Sequence, residues 1–124
     1  MYEIGITDEF EAAHALTGDF GPATRLHGHT YRVEVRVASR EVDASGAIYD
    51  VGKLRADLRS VLAEMHYRNL DDLPELKGVN TTVEMVARHI FRRVEPPVRA
   101  ASLAGLRVTV WESSSVFASY HEEF

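Results

Sequence analysis

The chain has 124 residues, 45% of them hydrophobic, with no cysteine and a formal net charge of −5. That charge argues against nucleic acid and anionic membranes as main partners, and the missing thiols exclude disulfides, thiolate metal ligands and a cysteine nucleophile. The length fits one domain over residues 1–124, large enough to bury a real core.

The run Met1-Tyr2-Glu3-Ile4 has neither the basic nor the apolar region of a signal peptide, and no apolar stretch approaches a membrane span, so a cytoplasmic protein is expected. Tyr2, Ile4 and Ile6 alternate with Glu3, Gly5 and Thr7, the period of a strand. Its even register continues through Phe10 and Ala12 to His14. Thr17 to Thr24 is a loop by its glycine and proline content. Tyr31, Val33, Val35 and Val37 alternate with Arg32, Glu34 and Arg36 in the clearest strand of the chain, and His27 and His29 share the parity of its apolar set. Asp43-Ala44-Ser45-Gly46 has turn chemistry, which predicts that Ala47 to Tyr49 pairs back as a small hairpin.

Asp50 suits the cap of a helix starting at Val51, with Val51, Leu54, Leu58, Val61, Leu62 and Met65 as its apolar stripe. Asn69 to Val79 reads as a polar loop. Thr81-x-x-Glu84 has the form of a capping box and opens a second helix, which Pro96-Pro97 is expected to end. Leu106, Val108 and Val110 predict a third long strand, Ser113 to Ser115 a tight turn, and Val116 to Tyr120 a fourth strand. The order predicts an α+β domain: an antiparallel four-stranded sheet covered on one face by two helices. Its open face invites oligomerisation.

Side chains two apart on a strand share a face, so His27 and His29 stand side by side across Gly28. His14 joins them if the first two strands are antiparallel neighbours, which the short connection Ala15 to Leu26 favours. Three unrelated histidines are the plain alternative. Three imidazoles with a fourth position open suit Zn²⁺, which polarises a substrate oxygen or acidifies water.

The ordered motifs Phe10-Glu11-Ala12-Ala13-His14, Leu26-His27-Gly28-His29-Thr30-Tyr31, Ile48-Tyr49-Asp50-Val51-Gly52-Lys53-Leu54, Asn80-Thr81-Thr82-Val83-Glu84 and Val110-Trp111-Glu112 resemble the 6-pyruvoyl-tetrahydropterin synthase / 6-carboxytetrahydropterin synthase (QueD) family. The resemblance implies a tunnelling fold, whose strands join those of neighbouring subunits in a barrel. It implies a homo-oligomer, trimer or hexamer, with active sites between subunits. It implies zinc on His14, His27 and His29, and a pterin substrate such as 7,8-dihydroneopterin triphosphate. Glu112 matches the glutamate that grips the pterin ring, since a carboxylate accepts two parallel hydrogen bonds from a 2-amino-4-oxo pyrimidine edge. Thr81 and Thr82 would lie near that ring. Arg25 is a candidate phosphate contact or an ordinary surface arginine.

Two positions depart from the family pattern. The family's catalytic cysteine falls on Ala23, and its Asp-His pair falls, without a gap, on His66 and Tyr67 or, with one inserted residue, on Met65 and His66. His66 is then the acid/base candidate, or a plain helix-end histidine. Tyr67 is a second proton donor and Asp71 a carboxylate to orient His66. No glutamate stands between His14 and His27 to replace the cysteine. The expected function is a zinc-dependent lyase or synthase-like enzyme on a dihydropterin side chain. The alternatives are a non-catalytic pterin- or purine-binding protein and a metal-assisted enzyme on another small ring.

Overall fold

A computed structural model describes residues 1–124. The first two strands, β1 (Tyr2–His14) and β2 (His27–Ser39), pair antiparallel along their whole length, from Tyr2 opposite Ser39 to His14 opposite His27. Alternation sorts their side chains. Ile6, Phe10, Tyr31, Val33, Val35 and Val37 are buried, while Glu3, Thr7, Glu9, Glu11, Thr30 and Arg32 point to the open face.

Helix α1 (Val51–Ala63) begins where Asp50 accepts the Lys53 N–H at 3.1 Å, one of the four donors a helix start leaves free. Leu54, Leu58, Val61 and Leu62 form its buried stripe. Helix α2 (Val83–Ala100) is strongly amphipathic and buries Val86, Ala87, Ile90, Phe91, Val94 and Val98. Both helices cover one face of the sheet, and 25 buried residues form a single core between the layers.

Four expectations are corrected. The sheet has five strands, not four: β3 (Arg68–Asn69) adds to the outer edge of β1 in parallel, and β4 (Gly105–Trp111) and β5 (Phe117–Glu123) complete the order β3-β1-β2-β4-β5. A two-residue strand is too short to leave a periodic signal. Helix α2 runs through Pro96 and Pro97 to Ala100. The carbonyls those prolines leave without donors belong to exposed Arg92 and Arg93, where water reaches them, while Val98 beyond is fully buried and holds the last turn. Ala47 to Tyr49 forms no hairpin, because Asp43 takes the N–H groups of Ser45 at 2.8 Å and Ala47 at 3.0 Å and closes the segment on itself. The cap of α2 is Thr82, which accepts the Met85 N–H at 3.3 Å. Thr81 lies one residue early and is committed elsewhere.

No helix is long and apolar enough to cross a membrane.

Candidate metal centre

The β1–β2 register sets His14 directly opposite His27 and Ala12 opposite His29, so the three histidines occupy one corner of one face. Their ring centroids lie 4.6, 4.8 and 5.1 Å apart, and one nitrogen from each falls within 4.8 Å of the others.

The hydrogen bonds behind these rings fix their tautomers. His14 Nδ1 faces the Thr81 carbonyl at 2.8 Å, and His27 Nδ1 faces the Arg25 carbonyl at 2.7 Å. A carbonyl only accepts, so both Nδ1 atoms carry hydrogen. In neutral rings both Nε2 atoms then present lone pairs, yet they meet at 3.0 Å. Two lone pairs at that distance repel unless a cation lies between them. The His29 Nε2 is buried without a hydrogen-bond partner. The residues therefore fit a divalent cation, and an all-imidazole donor set with an open side fits zinc.

A scaffold stands behind His14. Asp71 accepts the Thr81 hydroxyl on Oδ1 at 2.8 Å and the Ala15 N–H on Oδ2 at 2.9 Å. Thr81, fully buried, passes that restraint to His14 through its carbonyl. Asn80 clamps the neighbouring loop, accepting the Thr17 N–H at 2.9 Å and donating to the Thr17 carbonyl at 3.0 Å.

Glu112, at the end of β4, brings Oε2 to 3.8 Å from His29 Nε2. Burial lowers the His29 imidazole below its ordinary value; the Glu112 carboxylate opposes this, and His14 and His27 reinforce it. Burial likewise pushes the Tyr31 hydroxyl upward, helped by the carboxylates of Glu112 and Asp71. The only buried side-chain polar atoms without partners are His29 Nε2, the Tyr31 hydroxyl and Trp111 Nε1. A cavity of ≈ 640 Å³ is walled by His29, Arg32, Trp111, Glu112 and Ser113. A second cavity of ≈ 530 Å³ opens on the other side of His29, between Glu11, Thr30, Tyr67, Arg68 and Asn69.

The other expected site residues are placed as follows. Asp71 does not orient His66, since both its oxygens serve Thr81 and Ala15. Thr81 is buried behind His14 and Thr82 caps α2, so neither hydroxyl is free for a ligand. Arg25 meets the site through its carbonyl, and its guanidinium makes no ion pair. His66 accepts the Glu11 N–H on Nδ1 at 3.0 Å and stacks on Tyr67 with centroids 4.0 Å apart. Glu11 lines the second cavity from the open face of the sheet, across it from the three histidines.

Comparison with known proteins agrees with this architecture. A family model described as 6-pyruvoyl tetrahydropterin synthase matches residues 3–123. A 6-carboxy-5,6,7,8-tetrahydropterin synthase of Synechocystis is 34% identical over 119 residues, 90% of this chain and 86% of that protein. The enzyme of the same name from Haemophilus influenzae is 29% identical over 145 residues, 98% of this chain and 100% of that protein. The solved 6-pyruvoyl tetrahydropterin synthase of Caenorhabditis elegans superimposes with a TM-score of 0.85 at 30% identity, covering 96% of this chain and 94% of that one. The Plasmodium falciparum structure shares the fold, with a TM-score of 0.83 at 17% identity and coverage of 99% and 98%.

Proposed function

The chain belongs to the 6-pyruvoyl tetrahydropterin synthase family, and we propose that it is a zinc-dependent lyase acting on the side chain of a dihydropterin such as 7,8-dihydroneopterin triphosphate. The observation that carries this reading is the facing pair of imidazole lone pairs, with a third buried imidazole beside them and Glu112 3.8 Å from it. His14, His27 and His29 hold the metal, which supplies a Lewis acid for a substrate oxygen.

Glu112 anchors the flat ring by accepting paired N–H donors of its pyrimidine edge. The unpartnered Tyr31 hydroxyl, on the same face as the three histidines, supports a polar ligand nearby, since buried polar atoms in native folds ordinarily have partners. Arg32, stacked 5.0 Å over Trp111 at the same cavity, supplies the positive charge an anionic tail requires. Tyr67 lines the second cavity and His66 stacks on it, the pair serving as proton-handling groups. The reading includes a homo-oligomer of three or six chains.

The test is incubation of zinc-loaded protein with 7,8-dihydroneopterin triphosphate, followed by fluorescence of the pterin products. Turnover above a metal-free control supports the lyase. Tight pterin binding with no turnover favours the non-catalytic binding protein, which Ala23 at the cysteine position would suit.

A further inference from the structure

One carboxylate answers to both halves of the site. The β2–β4 register sets Arg32 opposite Trp111 and Val33 opposite Val110. Val33 and Val110 are buried on the helix-covered face, so Glu112, two residues on, falls beside Tyr31 on the face that carries the three histidines. The turn into β5 fixes its backbone. The Glu112 N–H donates to the Val116 carbonyl at 3.0 Å, and Ser113 Oγ accepts the Ser115 and Val116 N–H groups at 3.3 and 3.2 Å.

The carboxylate itself is held less firmly. It is partly exposed, and its one ion-pair contact is Oε2 at 3.8 Å from His29 Nε2. That is longer than a hydrogen bond, and Nε2 is buried without a partner. Glu112 is also the one acid among the charged groups that act on His29. An ion on His29 bonds that nitrogen at about 2.0–2.1 Å, so Glu112 Oε2 stands within about 6 Å of it. A full negative charge at that range stabilises a divalent cation. Gripping a pyrimidine edge requires both carboxylate oxygens, one for each parallel N–H bond. Oε2 is one of the two, so the ring and the metal centre draw on the same oxygen.

We propose that Glu112 couples ring binding to the metal centre. Without a ring it is the charge partner of the ion through the His29 corner; a bound ring draws it off. The inference rests on the pterin reading above. The ion then loses a neighbouring negative charge and becomes a stronger Lewis acid only when a ring is in place. The coupling is reciprocal: the factor by which the ring weakens metal binding is the factor by which the metal weakens ring binding.

The experiment measures zinc affinity by chelator competition in wild type and Glu112→Gln, without ligand and with a pterin that bears no side chain and so offers the metal no side-chain oxygen. Thermal unfolding checks the fold, and visible absorption of Co²⁺-loaded protein gives an independent signal of the ion's surroundings. Glu112→Gln is expected to weaken ligand-free zinc binding by about 10–100-fold. The ring is expected to weaken zinc binding in wild type and shift its Co²⁺ bands, and to do neither in Glu112→Gln. A folded Glu112→Gln protein with wild-type zinc affinity, or a ring that leaves zinc unchanged or tightens it in wild type, overturns the coupling and leaves the lyase reading standing. A zinc-loaded wild type that takes up no ring removes the ring anchor and the coupling together. A wild type that binds no zinc removes the metal centre itself.

Discussion

The carboxylate of Asp71 is worth more to this molecule than its place in a polar loop suggests. It joins Ala15, just past β1, to Thr81, just before α2, and through Thr81 it aims His14. Outer partners of metal ligands typically carry 10–100-fold in affinity. Asp71→Asn is therefore expected to weaken zinc binding by about that factor in a chelator competition, whereas Thr81→Ser, which keeps the hydroxyl and the carbonyl, stays near wild type. His14, His27 and His29 are legible in the sequence, because strand parity alone places them on one face. The role of Asp71 is not, because it depends on a contact with Thr81 ten positions away across an irregular loop.

At the scale of elements, both helices and four strands follow from apolar period and capping chemistry. Asp50→Ala is expected to cost about 1 kcal/mol in chemical denaturation, since it frees the Lys53 N–H at the start of α1. What escapes periodicity is what neighbours decide: β3 exists because β1 offers it an edge, and α2 outlasts its prolines because Val98 is buried. The packing of α2 also carries a pH dependence. Burial lowers the His89 imidazole, with the Arg93 guanidinium adding to the effect and Glu75 and Glu64 opposing it. The unfolded chain therefore takes up that proton first as pH falls through about 6.5. Stability is full above that pH and declines below it. Glu64, held low mainly by its hydrogen bonds to Arg93, adds a second loss as pH falls through the carboxylate range. His89→Gln is expected to flatten thermal stability between about pH 5 and 6.5 while leaving the lower drop in place.

The whole molecule leaves one face of its sheet and the outer edge of β5 uncovered, with Val116 and Phe117 44% and 54% exposed at the start of that edge. An unpaired edge of this length is a pairing surface. Sedimentation is expected to give the mass of three or six chains, and Phe117→Lys to shift it toward one; a wild-type monomer would contradict the oligomeric reading.

The pairing pattern also has a kinetic consequence. All three histidines come from β1 and β2, a contiguous stretch that closes over a short loop, whereas Glu112 arrives only when β4 docks on β2 from roughly 70 to 80 residues downstream. Local contacts form before distant ones because loop closure must be met first. A divalent ion held by these histidines would thus be captured by a nascent hairpin and serve as a nucleus for the remainder. Stopped-flow refolding should show an early phase that accelerates with added zinc and a later, zinc-independent phase in which tryptophan fluorescence records the arrival of Trp111.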